Sequence, residues 1–424
     1  MQNINQQIIT NHNNRQKDRH MNPRKMLPAG ITSMEPMLPP ENHPQLAELS
    51  RRIFIEGGAL RASIPHAKTR HQVALLIREM NSYYSNLIEG HKTLPRDIER
   101  AMRNDYLDDP DMRLNQNLAK AHIQVENEMV QRLTNEPDVN VYGPDFLCWI
   151  HGRFYHYLPE QAREGRTASG LPFPVEIGRP RSFNVDVGPH TPPDHRQIDT
   201  FLQRFSAAYQ SASILETNRL PAIAAAHHRL AWIHPFGDGN GRVARLQSHA
   251  ALIRLGVDGD GLWTLSRGLA RQRNEYYSRL AQADKQREND FDGRGNLSAR
   301  GLQEFCLFFL QIMLDQIEFM TRLLDTEKLR ERIADYIHRE SGIQQHRDRL
   351  VKLLGALIQE GELPRGKVAD IVGLKPSAAR QVISLALRED LVQSATPKGP
   401  LNMAFPAKVL DAYFPRLFLD LPYA

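Results

Sequence analysis

From about Leu46 to Leu324, apolar positions recur mainly at helical spacing. Val73, Leu75, Leu76, Ile77 and Met80, then Tyr83, Tyr84, Leu87 and Ile88, return at intervals near the helical period. They predict one amphipathic helix over roughly 70–89, with Gly90 as its stop. Further helices are expected near 95–106, 112–134, 144–157, 195–211, 219–233, 241–255, 267–285 and 300–324. Residues 165–194 break the run with many glycines and prolines. There Phe183, Val185 and Val187 alternate with Ser182, Asn184 and Asp186, a period of two that predicts a short β-hairpin or flap. Residues 287–299 are polar and read as a loop.

The two ends differ from this body. Residues 1–45 are rich in Asn, Gln, Pro, Met and charge with little periodicity, so a flexible tail is expected; Met21 stands as an alternative start. After Leu324 a charged helix runs to about His338, and 325–424 read as a linker helix plus a separate module. Within it, Arg365–Arg380 reads as a helix, a turn at Gly373 and a second helix from near Pro376. Ala369, Ile371, Val372, Val382, Ile383 and Leu387 supply its core. Leu391-Val392 and Met403-Ala404-Phe405 read as two short strands around Pro397-Lys398-Gly399-Pro400. A helix-turn-helix followed by a hairpin resembles a winged helix.

Composition narrows the class. The 424 residues are 41% hydrophobic and 24% charged, which excludes a wholly disordered or fibrous chain and gives room for two or three domains. Cys148 and Cys306 are the only cysteines, so a disulfide framework and a cysteine-based zinc site are excluded and a reducing compartment fits. Net charge is +5, much of it from Arg15, Lys17, Arg19, Arg24 and Lys25 against Asp18. The rest is nearly neutral, which argues against the whole protein being a nucleic-acid binder. No segment reaches the ~18 uncharged apolar residues of a membrane helix. Even Phe305–Phe319 is broken by Gln311, Asp315, Gln316 and Glu318. The polar N-terminus is no secretory signal, so the protein is expected to be cytoplasmic, with no membrane partner.

The densest chemistry is His234-Pro235-Phe236-Gly237-Asp238-Gly239-Asn240-Gly241-Arg242, followed by Arg245. It joins two apolar helices and ends at a helix N-terminus. Its glycines let backbone N–H groups turn toward an anion, and the helix end adds partial positive charge. Arg242 and Arg245 share a helix face and can grip different phosphates. Asp238 is an oxygen ligand suited to a Mg²⁺ bridging phosphates. His234 can take a proton from an attacking hydroxyl at neutral pH. Neither GxxxxGK[ST] nor GxGxxG is present, so no P-loop or dinucleotide fold is indicated. His227 and His228 lack partners at zinc spacing and are expected on a buried helix. Asp258 and Asp260 lack the later ligands of a calcium loop and read as a turn.

The run His234–Arg242 matches the signature HPFx[D/E]GN[G/K]R of the Fic family, which it resembles over roughly 70–285. The resemblance implies a helical Fic domain over 46–324, with its catalytic loop at 234–242 and the flap before it. It also implies transfer of AMP from ATP to a Ser, Thr or Tyr hydroxyl of a target protein. On it, His234 is the base, Phe236 anchors the loop and Asp238 holds Mg²⁺. Gly237, Gly239, Asn240 and Gly241 form the phosphate cradle, and Arg242 and Arg245 clamp the phosphates of ATP. Gly241, where a kinase-like branch has Lys, favours nucleotide transfer. Where many relatives have Phe-Glu ending three residues before the His, this chain has Leu230-Ala231, a position read as packing.

Ser85-Asn86-Leu87-Ile88-Glu89-Gly90 resembles the family's inhibitory motif [S/T]xxxE[G/N]. Ser85 and Glu89 lie four apart on one helical face. The resemblance implies that Glu89 pairs with Arg245 and so denies it to the ATP γ-phosphate. It also admits a second role for Glu89, positioning a water that removes AMP. The flap resembles the element that aligns a target by strand addition, with Phe183, Asn184, Val185, Asp186 and Val187 as the docking strand. In the C-terminal module, Lys375, Arg380 and Lys398 admit DNA as a partner, offset by Asp370, Glu389 and Asp390. Protein contact or a homodimer is the alternative use of the module. The rival to an enzyme is a DNA-binding transcriptional regulator whose Fic domain senses a ligand or regulates itself.

Overall fold

The computed structural model describes residues 30–41, 43–167, 170–210, 214–340, 343 and 345–418. It is mainly helical, with two small sheets among the described residues. Helices α1 (Pro44–Ser63), α2 (Ala67–Ile88), α3 (Pro95–Met102), α4 (Pro110–Asn135) and α5 (Pro144–His156) come first. A hairpin of β1 (Glu164–Arg166) and β2 (Pro172–Pro174) follows, then α6 (Ile198–Tyr209), α7 (Arg219–Ile233) and α8 (Asn240–Leu255). Next are α9 (Leu265–Arg271), α10 (Arg273–Ala283), α11 (Ala299–Leu323) and α12 (Thr326–Arg339). The last elements are α13 (Arg347–Glu360), β3 (Glu362–Leu363), α14 (Val368–Val372), α15 (Pro376–Arg388), β4 (Val392–Gln393), β5 (Leu401–Met403) and α16 (Leu410–Tyr413). The single helix expected over 267–285 is two, because Gln272 leaves helical geometry at φ −116° and ψ 37°.

The described residues divide into two compact units: those within 1–51, 121–255 and 269–312, and those within 52–120, 256–268 and 313–424. The first is centred on α7. This helix is buried on nearly every side, so it has no polar face and its sequence shows no clean stripe. Its alanines Ala224, Ala225 and Ala226 are small and fully buried, and α6 and α8 pack on it. Its polar side chains are partnered: His227 lies 2.8 Å from both Ser248 Oγ and Tyr276 Oη, and His228 Nε2 lies 3.1 Å from Asp284. Arg229 donates to the Pro36 carbonyl at 2.8 Å.

Residues 30–41, expected within the flexible tail, are instead packed on this unit. Met34 and Met37 are buried, Tyr209 Oη donates to the Met37 carbonyl at 2.6 Å, and Arg204 pairs with Glu35. The tail expected over 1–29 lies outside the described residues.

In the second unit α2 buries Val73, Leu76, Ile77, Met80, Tyr83 and Tyr84. That apolar face packs on the C-terminal elements, α13 and β5 among them. Tyr84 Oη donates to the Leu417 carbonyl at 2.9 Å, and the Phe418 ring meets Tyr83 at 5.3 Å between centroids. The sheet has the antiparallel order β3-β5-β4, pairing Leu363 with Leu401 and Val392 with Met403. Gly373 ends α14 at φ 67°, a left-handed position that glycine adopts without strain. Asp260 occupies a turn, and its carboxylate accepts from Arg61 at 2.9 Å and Arg70 at 3.0 Å. Among the described residues no helix is long and apolar enough to cross a membrane.

Candidate active site

The sequence of α7 ends at Ile233 because Pro235 disfavours helical geometry in the residue before it. His234 is that residue. It caps α7 in the left-handed conformation, φ 49° and ψ 60°, with its N–H on the Leu230 carbonyl at 3.1 Å. Such a conformation costs a non-glycine residue about 1–3 kcal/mol, so the surroundings must hold it. Arg181 does so from the flap. Its backbone N–H donates to the Pro235 carbonyl at 2.8 Å, and its Nε to the His234 carbonyl at 2.9 Å. The same guanidinium, 2% exposed, donates to the Phe183 and Pro193 carbonyls at 2.8 and 2.7 Å. One buried arginine therefore ties the flap to the loop that begins at His234.

A neutral His234 ring carries one donor and one acceptor nitrogen. Burial, then the Arg181 cation, pushes the imidazole down to about 3, so it is neutral at pH 7.

Phe236 is fully buried, and the ring of His151 from α5 stacks on it at 4.1 Å. The other end of α5 holds the loop's carboxylate: Tyr155 Oη donates to Asp238 Oδ2, and His151 Nε2 lies 3.2 Å from the Asp238 carbonyl. His151 and Tyr155 are four residues apart, on one face of α5. Gly239 has φ 81°, and a Cβ there would also approach the Tyr155 ring to 3.2 Å. Gly237 faces the flap: a Cβ would meet Phe173 at 2.9 Å and Phe183 at 3.3 Å.

The Asn240 side chain turns back onto the loop. It accepts from the Phe236 N–H at 2.9 Å and donates to the Phe236 carbonyl at 2.8 Å. Both ends of its amide brace the loop. Arg242 and Arg245 on the first turns of α8 are 5% and 3% exposed, and the Arg242 guanidinium lies 5.1 Å from the Phe154 ring centroid. Gly241 sits beside them in that first turn. Their two positive charges help to hold His122 well below the usual histidine range, after burial itself.

The residues fit a Mg²⁺ ion brought in with a nucleotide. The Asp238 side chain is 45% exposed, and no group of three or more His, Cys, Asp or Glu among the described residues can hold a metal alone. One carboxylate plus substrate phosphates and water is the common magnesium arrangement.

The flap differs from expectation. Its regular strands are β1 and β2, pairing Glu164 with Pro174, Gly165 with Phe173 and Arg166 with Pro172. The stretch Phe183–Val187 is no strand; it has only the isolated bridge of Val187 to His190. Its residues are tied inward: Arg181 holds the Phe183 carbonyl, Phe183 meets Phe173 edge-on at 5.1 Å, and Asn184 Oδ1 accepts from the His195 N–H at 2.8 Å. Thr191 Oγ1 lies 3.3 Å from Asp186 Oδ1, while Val185 is half-buried. Ser85 and Glu89 belong to the second unit. Ser85 is buried in α2, and Glu89 is its exposed C-cap. Arg181, His151 and Tyr155 escaped the sequence reading; only the four-residue spacing of the last two gave a signal.

Residues 142–252 match the model of the Fic/DOC family. The chain carries a Fic/DOC domain. This domain is similar to "Protein adenylyltransferase Fic" of Nematostella vectensis, 34% identical over 119 residues, 28% of this chain and 26% of that protein. The protein of the same name from Drosophila erecta is 38% identical over 91 residues, 22% of this chain and 18% of that protein. The match thus spans about a quarter or less of these curated relatives. A Fic family protein from Desulfovibrio desulfuricans shares the fold with TM-score 0.51 and 17% identity, over 87% of this chain and 98% of that one.

Two predictions arise from this Fic domain. Arg181→Ala leaves three carbonyls, one buried and two part-buried, without this donor, at up to about 1–3 kcal/mol each. The melting temperature is expected to fall by several degrees and proteolysis to speed up within 164–194; unchanged melting and digestion would refute the tie. The second concerns acid. Burial lowers His151 to about 4, and His227 and His234 to about 3, against 6.5 as their ordinary value. The unfolded chain takes these protons first, so folding stability is lost as pH falls below 6.5 toward those values. At pH 5 each contributes a loss of up to roughly 2 kcal/mol. Thermal melts at pH 7, 6 and 5 should show a steepening fall, and a flat profile would contradict it.

Proposed function

We propose that this chain is a self-inhibited protein adenylyltransferase of the cytoplasm. It moves AMP from ATP to a Ser, Thr or Tyr hydroxyl of a target protein or of itself, with release of pyrophosphate. The observation that carries this reading is the neutral His234 beside a glycine-rich loop that leads into the buried Arg242 and Arg245. In the reaction the acceptor nitrogen of His234 takes the proton of the target hydroxyl. The hydroxyl oxygen then attacks the α-phosphorus, and the bond from that phosphorus to the oxygen of the leaving pyrophosphate breaks. The backbone at Gly237, Gly239, Asn240 and Gly241 cradles the phosphates, and Arg242 and Arg245 neutralise their charge. Mg²⁺ bound through Asp238 supplies further charge neutralisation on the phosphates. The target is proposed to dock along Phe183–Val187, in the flap that Arg181 fastens to the loop.

Glu89 is proposed as the brake, by pairing with Arg245, and Ser85 as its companion in the motif. The same carboxylate is proposed to position water for AMP removal. Modified target that keeps its AMP equally with wild type and Glu89→Gly would sink that second role. The test of the main reading is paired labelling of Glu89→Gly with α- and γ-labelled ATP. AMP transfer puts only the α-label on protein; γ-label alone would mean phosphoryl transfer, and neither label would remove the reading.

A second reading is favoured by one observation. α14 and α15 flank a glycine turn and precede the β4–β5 hairpin, with Lys375, Arg380 and Lys398 exposed. This winged-helix-like module is proposed to bind DNA or to support a homodimer. DNA binding lost in Arg380→Ala/Lys398→Ala, in a protein with no transferase activity even as Glu89→Gly, would favour the regulator.

A further inference from the structure

Within the second unit, α2, α3 and the β4–β5 hairpin enclose a cavity of about 300 Å³. This is at the lower end of the range for small-molecule sites. One side is apolar, with Leu75, Val392 and Phe405. The other is acidic. Glu99 is already engaged, accepting from Arg103 at 2.8 Å and from the Ala407 N–H at 2.9 Å. Asp390 lies 3.9 Å from the same Arg103. Glu79 also lines the cavity, yet has no hydrogen-bond or ion-pair partner among the described residues. The lining thus has three carboxylates against one guanidinium.

We propose that this cavity binds a small organic ammonium ion, its cationic head on the Glu79 carboxylate and its apolar part against Leu75, Val392 and Phe405. The walls are fixed before any ligand arrives. Gln393 of β4 donates to Gln72 of α2 at 2.5 Å, which joins the hairpin to the helix, and to the Met403 carbonyl of β5 at 3.3 Å. Burial, then the nearby Glu99 charge, raises the Glu79 carboxyl to about 7. A bound cation supplies the counter-charge that the protein does not. An anionic ligand is disfavoured by the same charges, and a neutral one leaves the Glu79 charge uncompensated. The site lies on α2, the helix capped by Glu89, and its existence does not depend on AMP transfer.

The test is calorimetric titration of the full chain at pH 8 with phenethylammonium, 2-phenylethanol and phenylacetate. The ammonium is expected to bind saturably, with the alcohol about tenfold or more weaker and the carboxylate weaker still. Glu79→Gln should remove that preference while its melting temperature stays the same or rises. Leu75→Trp, which fills the cavity, should abolish ammonium binding. Equal binding of ammonium and alcohol, unchanged ammonium binding in either variant, or no ammonium binding would overturn the proposal. The heat of binding is read without nucleotide, so this failure is distinguishable from failure of the transferase reading.

Discussion

Replacing His234 with alanine is expected to lower AMP transfer by about 10²–10⁴-fold, the range for loss of a positioned general base. Two features argue for a loss at the chemical step rather than in folding. The ring is neutral across the physiological range, so it can accept a proton without first losing one. The loop below it is braced independently, by Asn240 on Phe236 and by His151 stacked on the same ring. Alanine is strained at φ 49°, so His234→Asn is the companion, because asparagine tolerates the left-handed region better. Both variants should melt near the wild-type temperature and still bind ATP. Initial rates of label transfer in the Glu89→Gly background decide it; a loss of less than about tenfold would remove His234 as the base.

Glu89→Gly is expected to raise AMP transfer by roughly 10–150-fold. That is the factor for a charge-assisted hydrogen bond of about 1.5–3 kcal/mol that holds Arg245 away from ATP. The substitution suits the fold. Glu89 is the C-cap of α2 at φ −80° and ψ 0°, exposed, and followed by Gly90 at φ 92°. α2 is held by its buried apolar face and by Tyr84 on the Leu417 carbonyl, none of which involves Glu89. A changed rate with unchanged melting therefore isolates inhibition from stability. Equal rates in wild type and variant would mean that Glu89 is an ordinary helix-end carboxylate.

Much of the helical frame was legible because its helices are half-buried and keep a period near 3.6. α2 and α5 lie within a few residues of expectation. The family was legible because the motif is contiguous, from His234 to Arg242, within the matched residues 142–252. What escaped was contact between distant residues. Arg181 sits in a stretch of prolines and glycines, and nothing local marks it as buried under the loop. Tyr155 and His151 look like interior residues of an ordinary helix until α5 is packed under Asp238. Met34 and Met37 lie in a polar run whose composition suggests solvent, yet the docking there uses two side chains and backbone carbonyls. The alternation at 182–187 reported side chains on two sides, which a loop tied by Arg181 and Asn184 also produces. It held no information about a pairing partner, which β1 and β2 found in each other.

The most direct test of the central claim is incubation of wild type, Glu89→Gly and Glu89→Gly/His234→Ala with α-labelled ATP, Mg²⁺ and cell lysate. The account predicts strong protein labelling in Glu89→Gly, little in wild type and none in the double variant. Absence of label in all three, or equal label in the single and double variants, would contradict it.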